Sequence, residues 1–168
     1  SDRDWSSDVC SSDLDSGYQV DPIRLKDLSL YDAVYVPFPI SLSQGTIDSL
    51  TAWVEQGGTL IGEACFGYFG DHGHVVERQP SRGLDALFGC VESSVHLGSD
   101  KWKFLEFGCV TGRIRGGVYR QAYRPTTGKQ AGRFDNGDCA VVENSFGKGR
   151  TRLIGSVPGY GYHLRPDE

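Results

Sequence analysis

Residues 33–62, AVYVPFPISLSQGTIDSLTAWVEQGGTLIG, decide the fold. The stretch opens with a compact apolar run, which predicts a strand over residues 33–37 that Pro37 and Pro39 terminate. A helix is predicted over residues 43–56, because apolar residues three and four positions apart form one stripe: Ile47, Leu50, Trp53 and Val54. A second strand is predicted over residues 59–62. The strand–helix–strand order predicts a right-handed parallel crossover.

The ends of this helix carry residues that start and stop helices. Ser41 or Ser43 can cap the N-terminus by accepting a backbone hydrogen bond, and Gly57 and Gly58 allow a left-handed turn at the C-terminus. The first strand shows no alternation of apolar and polar residues. We therefore expect it to be buried on both faces, as strands of a parallel sheet are.

The flanking sequence indicates short elements joined by many turns, because Gly accounts for 23 of the 168 residues. Before the crossover we expect a short strand at 17–20 and a polar connector at 25–32. After it we expect a Gly-rich loop at 66–73, a short helix at 83–89, and then strands at 91–97, 104–110, 113–122, 140–143 and 151–154. Turns are predicted at 135–138 and 147–149. The whole pattern predicts one α/β domain with a largely parallel sheet and a β-hairpin-rich C-terminal half.

Composition excludes several classes of partner. The net charge of -5 argues against a nucleic-acid surface, which is normally basic. No apolar run approaches the roughly 18 residues of a membrane helix, and the N-terminus lacks the apolar core of a signal peptide. Five Cys without a C-x-x-C pair suit reduced thiols, which predicts a cytoplasmic protein.

The first fourteen residues differ from the rest of the chain. Residues 4–14, DWSSDVCSSDL, resemble the translation of a sequencing-library adapter of the kind found at the ends of metagenomic gene models. We therefore expect residues 1–14 to be a non-native, disordered tail, and residues 15–165 to form a single domain that is truncated at its N-terminus. Truncation at its C-terminus is left open. A disordered natural Ser/Asp-rich tail is the alternative.

Three blocks together resemble a known family. They are LSLYDAVYVPFPISLSQGTIDSLTAWVEQGGTLIGEACFG at 28–67, PSRGLDALFGCVES at 80–93, and DNGDCAVVENSFGKGRTRLIGSVPGYGYH at 135–163. In this order they resemble the trimerisation domain of family 42 glycoside hydrolases, the β-galactosidases. The order and spacing of the blocks carry the resemblance, since each block by itself is widespread.

The resemblance implies a flavodoxin-like fold related to class I glutamine amidotransferases. It also implies that a (β/α)₈ barrel, which needs about 250 residues, precedes this domain and supplies two catalytic Glu to hydrolyse terminal β-D-galactosides. We therefore expect a non-catalytic fragment without a cofactor. Its expected partners are identical subunits in a homotrimer, the missing barrel and, for the parent enzyme, a galactoside; no nucleic acid or membrane is expected.

Cys65 is the sharpest candidate for chemistry within the chain. It follows a predicted strand, and Cys65-Phe66-Gly67 resembles half of a nucleophile elbow. Amidotransferases of the related fold add a late His-x-Glu pair, but Leu164 and Arg165 follow His163 here, and Glu63 stands where a Gly is usual. A structural thiol is therefore favoured over a catalytic one.

Four other constellations have plain structural explanations. The run Asp71-His72-Gly73-His74 contains metal-ligand residue types, but no third ligand motif lies nearby, so no metal site is predicted. Gly147-Lys148-Gly149-Arg150 favours a hairpin turn over a phosphate loop, because no helix follows. The remaining candidates are carboxylates without a selecting pattern and two late aromatics beside Pro158: Asp85, Glu92, Glu106, Glu143, Tyr160 and Tyr162.

Two alternative functions remain open at this stage. An independent amidotransferase-like hydrolase would use Cys65 as its nucleophile. A carbohydrate-binding or interaction module, in which Tyr160 and Tyr162 could line a sugar site, would bind galactosides without cleaving them.

Overall fold

A computed structural model of the protein describes residues 23–70, 73–75, 78–97 and 116–164. For residues 162–164 it describes the backbone only. The tail at 1–14 and the predicted strands at 17–20 and 104–110 lie outside the described residues. Within the described part, every helix is too short or too polar to traverse a lipid bilayer.

The crossover predicted from residues 33–62 is present. Strand β1 (Ala33–Val36), helix α1 (Gln44–Glu55) and strand β2 (Thr59–Gly62) follow one another, and β1 pairs with β2 in parallel. Ser43 caps α1, because its Oγ accepts a hydrogen bond from the Thr46 N–H at 3.1 Å. The predicted apolar stripe is buried: Ile47, Leu50, Trp53 and Val54.

The other elements lie before and after this crossover in the chain. A 3₁₀ helix (Leu25–Leu30) precedes β1, within the stretch that the sequence predicts to be a connector. Helix α2 (Leu84–Phe88) ends at Gly89, whose φ of 66° lies in the left-handed region that a glycine cap supplies. The later elements are β3 (Cys90–Leu97), β4 (Tyr119–Pro125), β5 (Lys129–Arg133), β6 (Cys139–Phe146), β7 (Gly149–Ile154) and α3 (Pro158–Leu164).

The strands form one mixed sheet in the order β1-β2-β7-β6-β4-β3, with β5 also paired to β6. The prediction of a largely parallel sheet is wrong for the described residues. Only β1–β2 and β2–β7 are parallel, and the other four pairings are antiparallel. The physical reason is connection length, since tight turns link β5 to β6 and β6 to β7, and a tight turn can join only antiparallel neighbours. The β-hairpin-rich C-terminal half is confirmed.

Strand β1 also departs from its prediction. It lies at the end of the described sheet order, and its side chains alternate, with Ala33 and Tyr35 exposed and Val34 buried. The expectation of burial on both faces is therefore wrong. An apolar run of four residues does not distinguish a strand buried on both faces from one with a single buried face.

Three elements of the C-terminal half differ from the sequence prediction. Strand β4 begins at Tyr119, whereas a strand was predicted over 113–122, of which residues 113–115 lie outside the described part. Strand β5 is not predicted from the sequence, because residues 129–133 (KQAGR) show no alternation of apolar and polar residues. Helix α3 was not predicted either, because three of its seven positions are Pro or Gly.

Two apolar clusters pack against the sheet. The larger contains residues from α1 and α2 together with residues from β1, β2, β4, β6 and β7. The smaller centres on Phe134 and includes Ala122, Val141 and Ile154. Phe66 and Phe88 meet edge to face in the larger cluster, with ring centroids 4.9 Å apart. This contact ties the turn after β2 to α2.

Candidate functional site

The turn after β2 holds the chemically distinctive groups of the described chain. Residues 64–67 form this turn, and Cys65 adopts a φ of 59°, which L-residues other than Gly seldom do. Backbone hydrogen bonds fix the turn on both sides, from the Gly67 N–H to the Pro39 carbonyl at 2.8 Å and from the Ala64 N–H to the Ser156 carbonyl at 3.1 Å. This positive φ is compatible with the half of a nucleophile elbow that Cys65-Phe66-Gly67 resembles, and a catalytic role for the turn is not tested by it.

Glu63 lies at the start of this turn and is completely buried. The Tyr35 hydroxyl and the Gly159 N–H (3.3 Å) donate to its Oε1, and the Phe38 N–H donates to its Oε2 at 2.9 Å. Burial raises the pKa of Glu63, while these three hydrogen bonds act in the opposite direction. The carboxyl group thus joins the chain after β1 to the first turn of α3.

Cys65 lies on the other side of the turn, in a separate polar cluster. Its N–H donates to Gln121 Oε1 at 2.7 Å, and Gln121 Nε2 donates to Glu92 Oε2 at 2.5 Å. The Tyr68 hydroxyl donates to the Glu92 carboxylate at 3.2 Å. Sequence reasoning had named Glu92 only as an unpaired candidate and had not named Gln121 or Tyr68.

The electrostatics of this cluster oppose a nucleophilic thiolate. Burial, with a further contribution from the Glu92 charge, raises the pKa of Cys65 to about 12. The same two causes raise the pKa of Tyr68 to about 12. Cysteine nucleophiles need the opposite shift, because the thiolate is the reactive form. The side chain of His163, the candidate base, lies outside the described side chains.

The other described cysteines are also buried and free. Burial raises the pKa of Cys90 to about 12 and that of Cys139 to about 11. The raised pKa values indicate that all three described thiols are protonated at neutral pH. Cys90 and Cys139 lie within the larger apolar cluster.

The remaining candidates lie apart from one another. Asp71 and His72 are outside the described residues, and no group of three possible metal ligands occurs in the rest of the described chain. Asp85 pairs with Arg78 at 3.3 Å, and the exposed Glu143 pairs with Arg152 across the β6–β7 hairpin. Glu106 lies outside the described residues.

Two further predictions concern the C-terminal end of the chain. The hairpin turn predicted over residues 147–150 is confirmed, because Phe146 pairs with Gly149 in the β6–β7 ladder. Tyr160 lies on α3 with 47% of its surface exposed, whereas the Tyr162 side chain lies outside the described part. The prediction that this chain contains no catalytic, cofactor or metal site stays a prediction.

What sequence reasoning missed are the polar partners of the turn. Glu63 attracted notice only as a departure from an expected Gly, and Gln121 has no local pattern to mark it. One available indication was position, because a Glu directly after an apolar strand ends up where the carboxyl ends of parallel strands meet.

Comparison with known families and structures adds three findings. The family described as the β-galactosidase trimerisation domain matches residues 13–163. A β-galactosidase from Bacillus circulans sp. alkalophilus has a similar fold, with a TM-score of 0.70 and 19% identity over 84% of this chain and 22% of that chain. No curated protein sequence matches the chain.

Two further solved structures share the fold. A cold-adapted β-galactosidase from Rahnella sp. R3 gives a TM-score of 0.75 and 19% identity, covering 91% of this chain and 25% of its own. An exo-β-1,4-mannosidase from Opitutaceae bacterium strain TAV5 gives 0.68 and 14%, covering 93% and 27%. The chain therefore spans only about a quarter of the length of these structures, and identities this low establish the fold alone.

Proposed function

The chain belongs to the β-galactosidase trimerisation domain family, and we propose that it is a non-catalytic oligomerisation domain of a β-galactosidase-like glycoside hydrolase. The observation that carries this proposal is the match of that family over residues 13–163. The parent enzyme would hydrolyse terminal β-D-galactosides with a separate barrel. A mannosidase with the same fold in one region supports assigning the choice of sugar to the barrel rather than to this domain.

The distribution of exposed apolar side chains supports association with identical subunits. Three of them, Leu25, Leu30 and Tyr35, fall within eleven consecutive residues that run from the 3₁₀ helix into β1, and Leu30 is 77% exposed. Large apolar side chains exposed together mark interaction surfaces more often than isolated ones do. We place the contact between copies of the domain at this end of the sheet.

Sedimentation of the full 168-residue chain tests the oligomer. A trimer of the 18.4 kDa chain would have a mass of about 55 kDa. Leu30→Asp should lower the mass toward that of a monomer, because a charge would be buried in the contact. Leu97→Asp is the matched control, since Leu97 is 73% exposed on β3 at the opposite end of the described sheet order. A chain that stays monomeric at high micromolar concentration would contradict the proposal.

The lack of catalysis has its own test. The fragment should not hydrolyse a β-galactoside. Cys65 should react with an alkylating agent near neutral pH no faster than Cys90 and far more slowly than in the unfolded chain, because its pKa is about 12. Fast and selective labelling of Cys65 would instead favour the amidotransferase-like alternative. Binding of galactosides without cleavage would favour a carbohydrate-binding module.

We further propose a fold relationship, domain bounds, a cellular compartment and partners for the chain. The parallel β1–α1–β2 unit and the strained turn at Cys65 favour a flavodoxin-like fold related to amidotransferases. We propose one domain over residues 15–165, preceded by the adapter-like segment 1–14. The three free thiols favour a cytoplasmic protein. Identical subunits and the barrel are its proposed partners, and nucleic acid and membrane are not.

A further inference from the structure

The Gln121 side chain has hydrogen-bond partners at both ends of its amide. Gln121 lies on β4 and is 2% exposed. Two donors meet at its Oε1, the Cys65 N–H at 2.7 Å and the Tyr123 hydroxyl at 2.8 Å. Its Nε2 donates to Glu92 Oε2 at 2.5 Å. The surrounding groups therefore present two donors on one side and a carboxylate acceptor on the other.

This arrangement is complementary to a primary carboxamide. A backbone N–H and a donating hydroxyl require an acceptor atom opposite them, and a carboxylate requires an N–H or O–H donor. A carboxylate in the place of the Gln121 amide would face Glu92 with like charge, and an ester would offer Glu92 no donor. The three partners thus select an uncharged group with an acceptor at one end and a donor at the other, which a primary carboxamide provides at neutral pH.

Two of the three partners, Glu92 and the Cys65 N–H, are held by contacts that do not involve Gln121. The Tyr68 hydroxyl donates to Glu92, and the Glu92 N–H donates to the Gln79 carbonyl at 2.6 Å. The turn that carries the Cys65 N–H is fixed by the hydrogen bonds of Gly67 and Ala64 described above. Removal of the Gln121 side chain should therefore leave most of the site in place.

We propose that the Cys65 N–H, the Tyr123 hydroxyl and the Glu92 carboxylate form a binding site for a primary carboxamide, which the protein fills with its own Gln121 side chain. The site joins β4 to the turn after β2 across the sheet. Emptied of Gln121, it would accept a small free carboxamide. The inference is independent of the proposed oligomerisation.

Chemical rescue of the full chain carrying Gln121→Gly tests the site. Acetamide at about ten times its dissociation constant should raise the melting temperature of this variant by about 3 °C more than that of the wild type. Acetate should not, because its charge faces Glu92. Val142→Ala is the control, since it opens an apolar cavity at a fully buried core position. Equal shifts in both variants, or equal effects of acetate and acetamide, would overturn the proposal.

A second variant covers the case in which Gln121→Gly does not fold. In Gln121→Glu, a protonated carboxyl can accept from Cys65 and Tyr123 and donate to Glu92, but an ionised one meets the Glu92 charge. Its stability relative to the wild type should therefore fall as the pH rises from 5 to 7, while that of the exposed Gln130→Glu on β5 should not. A pH-independent difference would contradict the carboxamide site.

Discussion

The parallel part of the sheet (β1, β2 and β7) and its antiparallel part (β3 to β6) lie in one sheet but are joined in different ways. A helix with its own cap and apolar stripe connects β1 to β2, so the β1–α1–β2 unit is determined by about thirty consecutive residues. The antiparallel strands pair through tight turns and through contacts between distant segments. The difference shows that local patterning can specify a crossover, whereas the strand order of the whole sheet depends on side chains far apart in sequence.

The two parts meet in the larger apolar cluster. A substitution there should have the largest effect on the free energy of unfolding. Phe88→Ala should lower the free energy of unfolding by about 3–5 kcal/mol, because Phe88 is fully buried against Phe66. Chemical denaturation followed by circular dichroism would measure this. One transition should remain, since the cluster spans both parts. The control Leu97→Ala should change stability by less than about 0.5 kcal/mol, and separate transitions for the two parts would break the comparison.

A substitution at the backbone contact between the two parts should lower the stability by nearly as much. Gly155 follows β7, and its N–H donates to the Ala140 carbonyl on β6 at 2.8 Å. A Cβ at this position would lie 1.9 Å from the Gln121 carbonyl oxygen of β4. Gly155→Ala should therefore destabilise by about 3 kcal/mol, at the upper end of the usual cost of overpacking.

The matched control for this substitution is Gly45→Ala in α1, where the nearest atom to a new Cβ is 4.0 Å away. This change should stabilise by about 0.5–1 kcal/mol, because Ala favours the helix. If both variants were equally stable, the close approach of β7 to β4 would not be a constraint.

Glu63 offers a test by pH within the parallel part. Its pKa is raised above 4.5 in the folded state by burial, so the folded chain binds this proton more readily than the unfolded chain. The stability contributed by protonated Glu63 is full below about pH 4.5 and is lost as the pH rises through the folded pKa. The wild type should therefore lose stability relative to Glu63→Gln over that window. Parallel stability curves for the two proteins would contradict the raised pKa.

The smallest expected change in stability tests whether residues within α1 and at its N-cap determine where this helix begins. Ser43→Ala removes the cap of α1 and should cost about 1 kcal/mol. Ser49→Ala, at an exposed position inside the same helix, should be neutral or slightly stabilising because Ala is the better helix former. Melting temperatures of the two variants would separate capping from helix propensity. Equal values would remove the evidence for a cap-directed helix start.

The candidate site shows the same contrast between features set by neighbouring residues and features set by residues far apart in sequence. The elbow-like turn at Cys65 was predictable, because an apolar strand ends shortly before Cys65 and a Gly follows shortly after it, which is typical of a tight turn. Its chemical state was not predictable, because Gln121 lies 56 positions away and Glu92 lies on another strand. Burial and a neighbouring carboxylate, rather than the local sequence, keep the thiol protonated.

The sequence by itself determined the β1–α1–β2 unit, the α2 helix between Gly83 and Gly89, the hairpin at residues 147–149 and the family of the chain. Each depends on periodicity, caps and turn residues that act over a few positions. Tertiary structure alone decided that the sheet is mixed, that β1 has one buried face, and that Glu63 and Gln121 are buried with satisfied hydrogen bonds. Those outcomes depend on which distant strands become neighbours, and a buried polar group is stable only where such neighbours supply its partners.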